Sequence, residues 1–168
     1  MNPLDDSPYS YRSDTAVPAF PDTDCLTVMD ATCGMCSKGA LWIARYDRAK
    51  AFRIVPLQSD LGHALLRHYG LDPDDPTSWL YLESGRPYFS ADAVIRVAQR
   101  LGGRWRLLTA LRIIPAALLH RLYLWVARNR YRISGRADLC NMPDPAVRAR
   151  LLREAGVGRL ETDPESDL

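Results

Sequence analysis

Two cysteines three residues apart, Cys33 and Cys36, are the residues of this chain whose types and spacing best suit chemistry. Such a pair can exchange electrons with a partner by forming and breaking a disulfide, or it can supply half of the ligands of a zinc site. It can also be chemically inert. The carboxylate of Asp30 lies three residues before the first cysteine and could take the proton of Cys36 or tune the pKa of either thiol. The secondary-structure elements that hold these side chains indicate whether the pair is a redox pair, part of a zinc site or chemically inert.

A strand followed at once by a helix surrounds the pair. Residues 25–30, "CLTVMD", show the alternating pattern of a β-strand and are rich in residues that favour strands. After Cys36 the apolar residues recur at helical spacing, which predicts the helix. The unpaired N–H groups and the positive dipole end at a helix start stabilise a thiolate, so they lower the pKa of a cysteine there. Cys33 is therefore the predicted nucleophile. Cys36, one turn further along the same face, is the predicted resolving thiol that attacks the mixed disulfide.

The remaining patterns predict the order β-α-β-α-β-β-α, followed by further helices. A second strand is predicted in "AFRIVPL", a short helix in "LGHALLRHYGL", and a hairpin in "SWLYLESGRPYF" that turns at Ser84-Gly85. Ser90 is the predicted N-cap of the helix "ADAVIRVAQRL". Two helical patterns separated by Pro115 come next, and Asp144 is expected to cap a last short helix.

One domain is expected from 168 residues of which 47% are hydrophobic. Its predicted parts are a disordered N-terminal tail over residues 1–23, a core over 24–103, a helical layer of the same domain over 104–157, and an acidic tail over 158–168. Residues 1–23 do not have the pattern of a signal peptide, and arginines interrupt every apolar run that could span a bilayer. A cytoplasmic location is therefore expected.

The element order, with the cysteine pair between the first strand and the first helix, resembles that of thioredoxin and glutaredoxin domains. More specifically, "DATCGMC", residues 30–36, resembles the Asp-x-x-Cys-x-x-Cys signature of the DCC family of thiol-disulfide oxidoreductase-like proteins. The likeness continues through "SADAVIRVAQRLGGRW" to "ADLC" and covers roughly residues 26–143. It implies an α/β, thioredoxin-like core with appended C-terminal helices. It also implies a thiol-disulfide oxidoreductase without a bound cofactor, whose substrate is a thiol or disulfide in a protein or a small molecule.

The cysteine motif departs from that of thioredoxin itself. Thr32 precedes Cys33 where thioredoxin has a Trp, and Gly34 and Met35 stand between the cysteines where thioredoxin has a Pro. The redox potential of thioredoxin therefore does not carry over. Pro76, before Thr77, resembles the cis-proline loop that faces the disulfide in thioredoxins.

A zinc site is the main alternative to a redox pair. A structural zinc ion needs four ligands, usually as two close pairs, and no second pair is evident. Cys25 and Cys140 are isolated, and His63 and His68 are five residues apart, on different sides of a helix. We therefore expect no metal. Cys25 is interpreted as a buried apolar side chain, and Cys140 as a structural thiol rather than a third redox cysteine.

Asp30 has a capping interpretation besides its possible role in proton transfer. At the end of a strand its carboxylate can accept hydrogen bonds from the backbone of the cysteine loop, and this is the favoured interpretation. The rival to the whole enzymatic hypothesis is a non-catalytic binding or scaffold module, in which the cysteines are structural or bind zinc.

Arginines are concentrated in one segment. Residues 93–137 contain ten arginines and no acidic residue, which leaves the rest of the chain with a net charge of −8. Arg121, Arg128 and Arg132 are predicted to share one face of a helix, with apolar residues on another. A solvated basic face is the simplest interpretation, and an acidic partner or an anionic membrane surface is the alternative. Nucleic acid is not expected. Trp125 is predicted to lie in the core or at its edge.

Overall fold

The structure, a computed structural model, describes residues 7–21, 25–74 and 79–152. Its strands and α-helices follow in the order β1 (Cys25–Met29), α1 (Gly34–Tyr46), β2 (Phe52–Pro56), α2 (Asp60–His68), β3 (Leu80–Glu83), β4 (Arg86–Phe89), α3 (Ser90–Leu101), α4 (Ala116–Ser134) and α5 (Pro145–Arg148). Two 3-10 helices, Ser10–Ser13 and Gly103–Ile113, complete the set.

The four strands form one mixed sheet in the order β2-β1-β3-β4. β1 and β2 are parallel, whereas β3 is antiparallel to both of its neighbours, β1 and β4. α1 connects the two parallel strands, and β3 and β4 form a hairpin. The predicted β-α-β-α-β-β-α order and the thioredoxin-like α/β fold are therefore confirmed. The first helix begins at the carboxyl end of the central strand β1, where the cysteine motif lies.

Local signals in the sequence fix several of the boundaries. The hairpin turns at Ser84 and Gly85, whose φ angles of 48° and 74° are both positive, as a two-residue hairpin turn of type I′ requires. Asp144 caps α5 as predicted, because its carboxylate accepts hydrogen bonds from the backbone N–H groups of Ala146 and Val147. The prediction for Ser90 is wrong. Ser90 is itself the first residue of α3, its φ is 51°, and the N-cap residue is Phe89, whose side chain makes no capping hydrogen bond.

Apolar residues cover both faces of the sheet, as the alternation of β1 side chains requires. On one face, α1 and α3 pack over Met29, Ile54 and Tyr81. On the other face, α2 packs over Val28 and Val55. Every residue of β1 is buried. The central strand therefore forms a rigid base for the residues that follow it.

The N-terminal segment is ordered where the structure describes it, so the expectation of a disordered tail is wrong for residues 7–21. Tyr11 is buried against the α2 side of the sheet. The Ser10 hydroxyl lies 2.9 Å from Nε2 of His68, and the carboxylate of Asp14 lies 2.7 Å from Nδ1 of the same ring. A hydrogen-bonded ring and a buried aromatic side chain thus hold this segment against α2.

The C-terminal helices form a layer over α1 and α3, but they differ from the prediction in two respects. Residues 103–113 form a 3-10 helix rather than an α-helix, and the last helix, predicted in "AVRARLLREAG" (residues 146–156), ends at Arg148. Trp105 packs edge-on against Trp42 of α1, with ring centroids 5.1 Å apart. Trp125, in contrast, is 60% exposed, so its predicted place in the core is wrong. Pro76 and the acidic tail over residues 158–168 lie outside the described residues.

Candidate functional site

The cysteine pair lies at the junction of β1 and α1, as the sequence predicted. Cys33 is the N-cap residue of α1, with extended backbone angles, and Cys36 lies in the first turn of the helix. Their side chains are hydrogen-bonded to each other. Their exposure differs from the simplest expectation for an attacking and a resolving thiol, because Cys33 is fully buried whereas Cys36 is partly exposed.

The surroundings of the pair shift the two thiol pKa values in opposite directions. The hydrogen bond from Cys36 is the largest influence on Cys33, and backbone N–H groups of Cys36 and Met35 and the charge of Arg130 act in the same sense. Together they outweigh burial and lower the pKa of Cys33 to about 6. The pKa of Cys36 is raised, because Cys36 donates to the Cys33 sulfur and lies partly buried beside its negative charge. The pair is thus one thiolate and one thiol near neutral pH.

Asp30 lies at the centre of a hydrogen-bond network below the cysteine loop. Its Oδ1 accepts hydrogen bonds from the backbone N–H of Thr32, at 2.9 Å, and from Nε2 of Gln58, at 2.8 Å. Its Oδ2 accepts from the Tyr131 hydroxyl and from Nη2 of Arg130, the latter at 2.5 Å. Burial alone would raise the pKa of Asp30, but the hydrogen bonds from Tyr131, Thr32 and Gln58 lower the pKa to about 2.

Sequence reasoning missed Arg130, as well as Gln58 and Tyr131, which also donate to Asp30. The side chains of Arg130 and Asp30 are only 10% and 4% exposed, so this is a buried ion pair between residues one hundred positions apart. The sequence nevertheless contains an indication that Arg130 is buried. At 100° per residue, Arg130 falls on the side of α4 that carries Tyr123 and Ala127, away from Arg121 and Arg128. An arginine on the inner side of a helix indicates a buried acidic partner.

The chain that follows α4 pairs with the cysteine loop. Residues 135–139, here called the paired segment, exchange backbone hydrogen bonds with residues 31–34. The N–H of Gly34 donates to Gly135 at 3.1 Å, and the N–H of Ala137 donates to Thr32 at 3.1 Å. A Cβ at position 34 would lie 2.2 Å from the carbonyl oxygen of Ser134. A glycine after Cys33 therefore permits this close approach, and the pairing leaves Cys33 without contact to solvent.

An apolar cavity of about 300 Å³ adjoins the pair on the Cys36 side. It lies between α1, α3, α4 and the end of β1. Its walls are mainly apolar, with Met35, Trp42 and Val126 among them, and Cys36, Asp30 and Arg130 line it as well. The partial exposure of Cys36 and the lining of this cavity together give a ligand a route to Cys36 that does not pass Cys33.

The other two cysteines lie apart from this chemistry in different ways. Cys25 is fully buried in β1, where burial raises the pKa of its thiol and the Tyr81 hydroxyl donates to its sulfur at 3.3 Å. Cys140 is half-buried and packs against the core next to the paired segment, so the fold brings it nearer to the motif than its sequence position indicates.

Within residues 7–21, 25–74 and 79–152, no group of three or more His, Cys, Asp or Glu side chains could hold a metal ion.

The family model described as "DCC1-like thiol-disulfide oxidoreductase" matches residues 27–136, which is more than half of the chain. The uncharacterized protein YuxK of Bacillus subtilis is 30% identical over 125 residues, covering 74% of this chain and 91% of that protein. A DCC family protein of Arabidopsis thaliana, described as chloroplastic, is 31% identical over 118 residues, covering 70% of this chain and 69% of that protein. No solved structure shows a significant match to the chain.

Proposed function

The chain belongs to the DCC1-like thiol-disulfide oxidoreductase family, and we propose that it exchanges a Cys33–Cys36 disulfide with a protein or small-thiol substrate. The observation that carries the proposal is the hydrogen-bonded pair at the start of α1, in which the N-cap cysteine has its pKa lowered to about 6. The nucleophile of disulfide exchange is a thiolate, and Cys33 is in this form near neutral pH. We also propose a cytoplasmic location, because that compartment keeps such a pair reduced.

The first step is attack by the Cys33 thiolate on one sulfur of a substrate disulfide. A Cys33–substrate disulfide forms, the substrate S–S bond breaks, and the other substrate sulfur leaves as a thiolate. In the second step Cys36 passes its proton to the departing substrate sulfur and attacks the Cys33 sulfur, which breaks the Cys33–substrate disulfide. The substrate then leaves as a dithiol, reduced by two electrons, and Cys33 and Cys36 form the disulfide. An external dithiol returns the protein to its reduced form.

We assign Asp30 a positioning role rather than a role as base. Its pKa of about 2 makes it a weak base, and both of its oxygens are already engaged by donors. It holds the Arg130 guanidinium in place, and the charge of Arg130 lowers the pKa of Cys33. The favoured capping interpretation also has support, because Asp30 accepts a hydrogen bond from the backbone of Thr32.

Access to Cys33 requires the paired segment to move, since Cys33 is fully buried and its backbone neighbours pair with residues 135–139. Leu139, which is fully buried, anchors the far end of this segment, but residues 135–137 are held against the loop by only two backbone hydrogen bonds and lie in a connection between α4 and α5. Local openings of such connections cost much less than global unfolding. We therefore propose that the exchange-competent form is one in which this segment has separated from the cysteine loop.

The burial of Cys33 also favours a second candidate, a non-catalytic binding module. In that case the paired segment stays closed, the cysteines are structural, and the apolar cavity of about 300 Å³ is the working site. The two candidates differ in whether the pair cycles between dithiol and disulfide.

Titration of free thiols together with metal analysis tests the proposal. The purified protein is oxidised with a small disulfide, reduced again and assayed for thiols in each state, with bound zinc measured in parallel. We expect two thiols to be lost and regained per chain, with Cys33 and Cys36 joined in the peptide map of the oxidised form. Stoichiometric zinc, or cysteines that no oxidant joins, would contradict the enzyme and support the binding module.

A further inference from the structure

The outward side of α4, called here its outer face, carries large apolar side chains that no other described element covers. Leu118, Leu122, Trp125 and Ile133 are 58%, 51%, 60% and 52% exposed. At 100° per residue these positions fall within a narrow arc of the helix. The opposite side, with Tyr123 and Ala127, lines the cavity and faces the core. α4 is therefore apolar on both sides.

Exposed apolar side chains are concentrated in this part of the protein. Leu107 and Ile113, in the preceding 3-10 helix, are 77% and 86% exposed. Among the described residues, the one large hydrophobic side chain exposed outside residues 103–134 is Leu41, at 38%. Single exposed leucines are common on soluble proteins. Six large exposed side chains on two consecutive elements are not, and such a concentration marks an interaction site.

Positive charge borders the same surface. Arg121, Arg128 and Arg132 are all exposed and lie along one edge of the outer face, at 280° to 320° when Leu118 is placed at 0° and each residue adds about 100°. No acidic residue occurs between positions 93 and 137 to offset them. Apolar side chains that include Trp and Leu, bordered by arginines, are the pattern of helices that lie in the interface of an anionic bilayer.

We propose that the outer face of α4, with the exposed side chains of the preceding 3-10 helix, docks onto the surface of an anionic lipid bilayer. The apolar side chains enter the boundary between headgroups and acyl chains, and the arginines contact lipid phosphates. A second copy of the chain fits this surface less well, because both faces are bordered by arginines and no acidic residue between positions 93 and 137 offsets their charge. An acidic protein would match the charge, but it would also have to offer an apolar surface shaped to the exposed side chains, which a bilayer supplies without a complementary shape.

No single helix in the described part of the chain is long and apolar enough to cross a bilayer. Gly103–Ile113 and Ala116–Ser134 meet that criterion of length and composition only when taken together, and they are bent by 118° at the break between them. The docking proposed here depends on the side chains of the outer face and not on a span.

Vesicle sedimentation with the full chain tests the proposal. We expect binding to vesicles of phosphatidylcholine mixed with phosphatidylglycerol, and weaker binding to phosphatidylcholine alone or at high salt. Replacing both Leu122 and Trp125 by serine should lower the partition coefficient by more than about ten-fold, because two large side chains no longer enter the bilayer. Leu41→Ser is the matched control and should bind like the unchanged protein.

The contribution of charge is tested separately. Arg121→Gln and Arg128→Gln should each lower the partition coefficient roughly five-fold, as expected for one cation near an anionic surface. Arg48→Gln, an exposed arginine in the turn after α1, is the matched control. All these side chains are exposed, so circular dichroism should show the same fold in every variant. Cys33→Ser should bind vesicles unchanged, which separates this proposal from the oxidoreductase function.

Four outcomes would overturn the proposal. The first is no binding to anionic vesicles, and the second is vesicle binding that the outer-face substitutions leave unaltered. The third is a dimer in sedimentation equilibrium that the Leu122 and Trp125 substitutions dissociate, because the surface would then join two copies. The fourth is tighter binding to polyglutamate than to vesicles with no effect of those substitutions, which would indicate an acidic partner.

Discussion

The chemistry proposed for Cys33 depends on a small set of neighbours that differ in how far they lie along the chain. The hydrogen bond from Cys36 and the N–H groups of the first turn are local consequences of a cysteine at a helix start. A sequence shows them through spacing alone, which is why Cys33, Cys36 and Asp30 could be selected in advance. The charge of Arg130 comes from a helix one hundred residues away, and only packing of that helix against the motif brings it there.

The first prediction concerns the reactivity of Cys33. The rate of alkylation is measured as a function of pH on the protein with both cysteines, because Cys36→Ala would remove the hydrogen bond that lowers the pKa of Cys33. Peptide mapping identifies which cysteine is alkylated. The rate of Cys33 alkylation should rise with a midpoint near the pKa of about 6. Arg130→Gln should move the midpoint upward, because a cation that stabilises the thiolate is removed.

Arg128→Gln is the control for that experiment, because Arg128 is on the same helix but is exposed. Its midpoint should equal that of the unchanged protein. A profile for the unchanged protein with a midpoint near 8.5, the value of an ordinary cysteine, would remove the physical basis for assigning Cys33 as the nucleophile.

The second prediction concerns stability in acid. The pKa of Asp30 is lowered in the folded protein from 3.8 to about 2, so Asp30 binds protons more readily when the chain is unfolded. Its contribution, about 2 kcal/mol, is present above pH 3.8 and is lost as the pH falls through about 2. Asp30→Asn should therefore lower the free energy of unfolding at neutral pH, and the difference from the unchanged protein should narrow below pH 3.8.

Removal of one partner from a buried ion pair typically costs about 3–5 kcal/mol, because the other charge stays buried. Urea unfolding of both proteins at several pH values measures the loss. Asp92→Asn is a suitable control, since the Asp92–Arg112 ion pair is exposed and should contribute much less. A constant difference between the Asp30 variant and the unchanged protein across the acid range would refute the proposed linkage.

At the scale of elements, the sequence predicts best where a local rule decides. The Ser84-Gly85 turn and the Asp144 cap follow from the backbone angles and hydrogen bonds that a few adjacent residues prefer. The 3-10 form of Gly103–Ile113 is different, because apolar residues at helical spacing do not distinguish it from an α-helix. The paired segment had no signal in its own residues, since its partner is the cysteine loop a hundred positions earlier.

The third prediction concerns the close approach at Gly34. Gly34→Ala places a Cβ 2.2 Å from the backbone oxygen of Ser134, so the paired segment must shift. We expect a loss of about 1–3 kcal/mol in the free energy of unfolding. Gly39→Ala is the matched control in the same helix, because its Cβ would make an ordinary contact of 3.7 Å with the Met29 side chain. The control should keep or gain stability, by up to about 1 kcal/mol. Equal free energies of unfolding for the two variants would show that the backbone of Ser134 does not lie close to position 34.

The fourth prediction concerns access to Cys33. Ala137→Pro removes the N–H that donates to Thr32 at 3.1 Å, and so it weakens the paired segment without touching either cysteine. The rate of Cys33 alkylation by a bulky reagent should rise several-fold, because the open form becomes more populated. Ala137→Ser keeps the N–H and should react like the unchanged protein. If the proline variant reacts no faster, the paired segment does not control access.

At the scale of the whole molecule, the thioredoxin-like core and its helical layer have separate tasks. The core supplies the sheet and the helix start that hold the cysteine pair. The layer covers that site with Arg130 on its inner side, and it presents apolar side chains and arginines on its outer side. Composition revealed the basic segment, but the general tendency of tryptophan to be buried led to the wrong prediction for Trp125. When a helix is apolar on both sides, its sequence does not indicate which side is buried, because that depends on how the helix packs against the rest of the protein.

The most direct test of the account is single-turnover reduction of a small disulfide by the unchanged protein and by three variants, Cys33→Ser, Cys36→Ser and Cys140→Ser. We predict that Cys33→Ser abolishes the reaction, because the attacking thiolate is lost. Cys36→Ser should form a Cys33 mixed disulfide that persists, and Cys140→Ser should complete its first turnover like the unchanged protein. If Cys140→Ser instead leaves the mixed disulfide unresolved while Cys36→Ser still turns over, Cys140 is the resolving thiol. A fully active Cys33→Ser protein would contradict the proposed function as a whole.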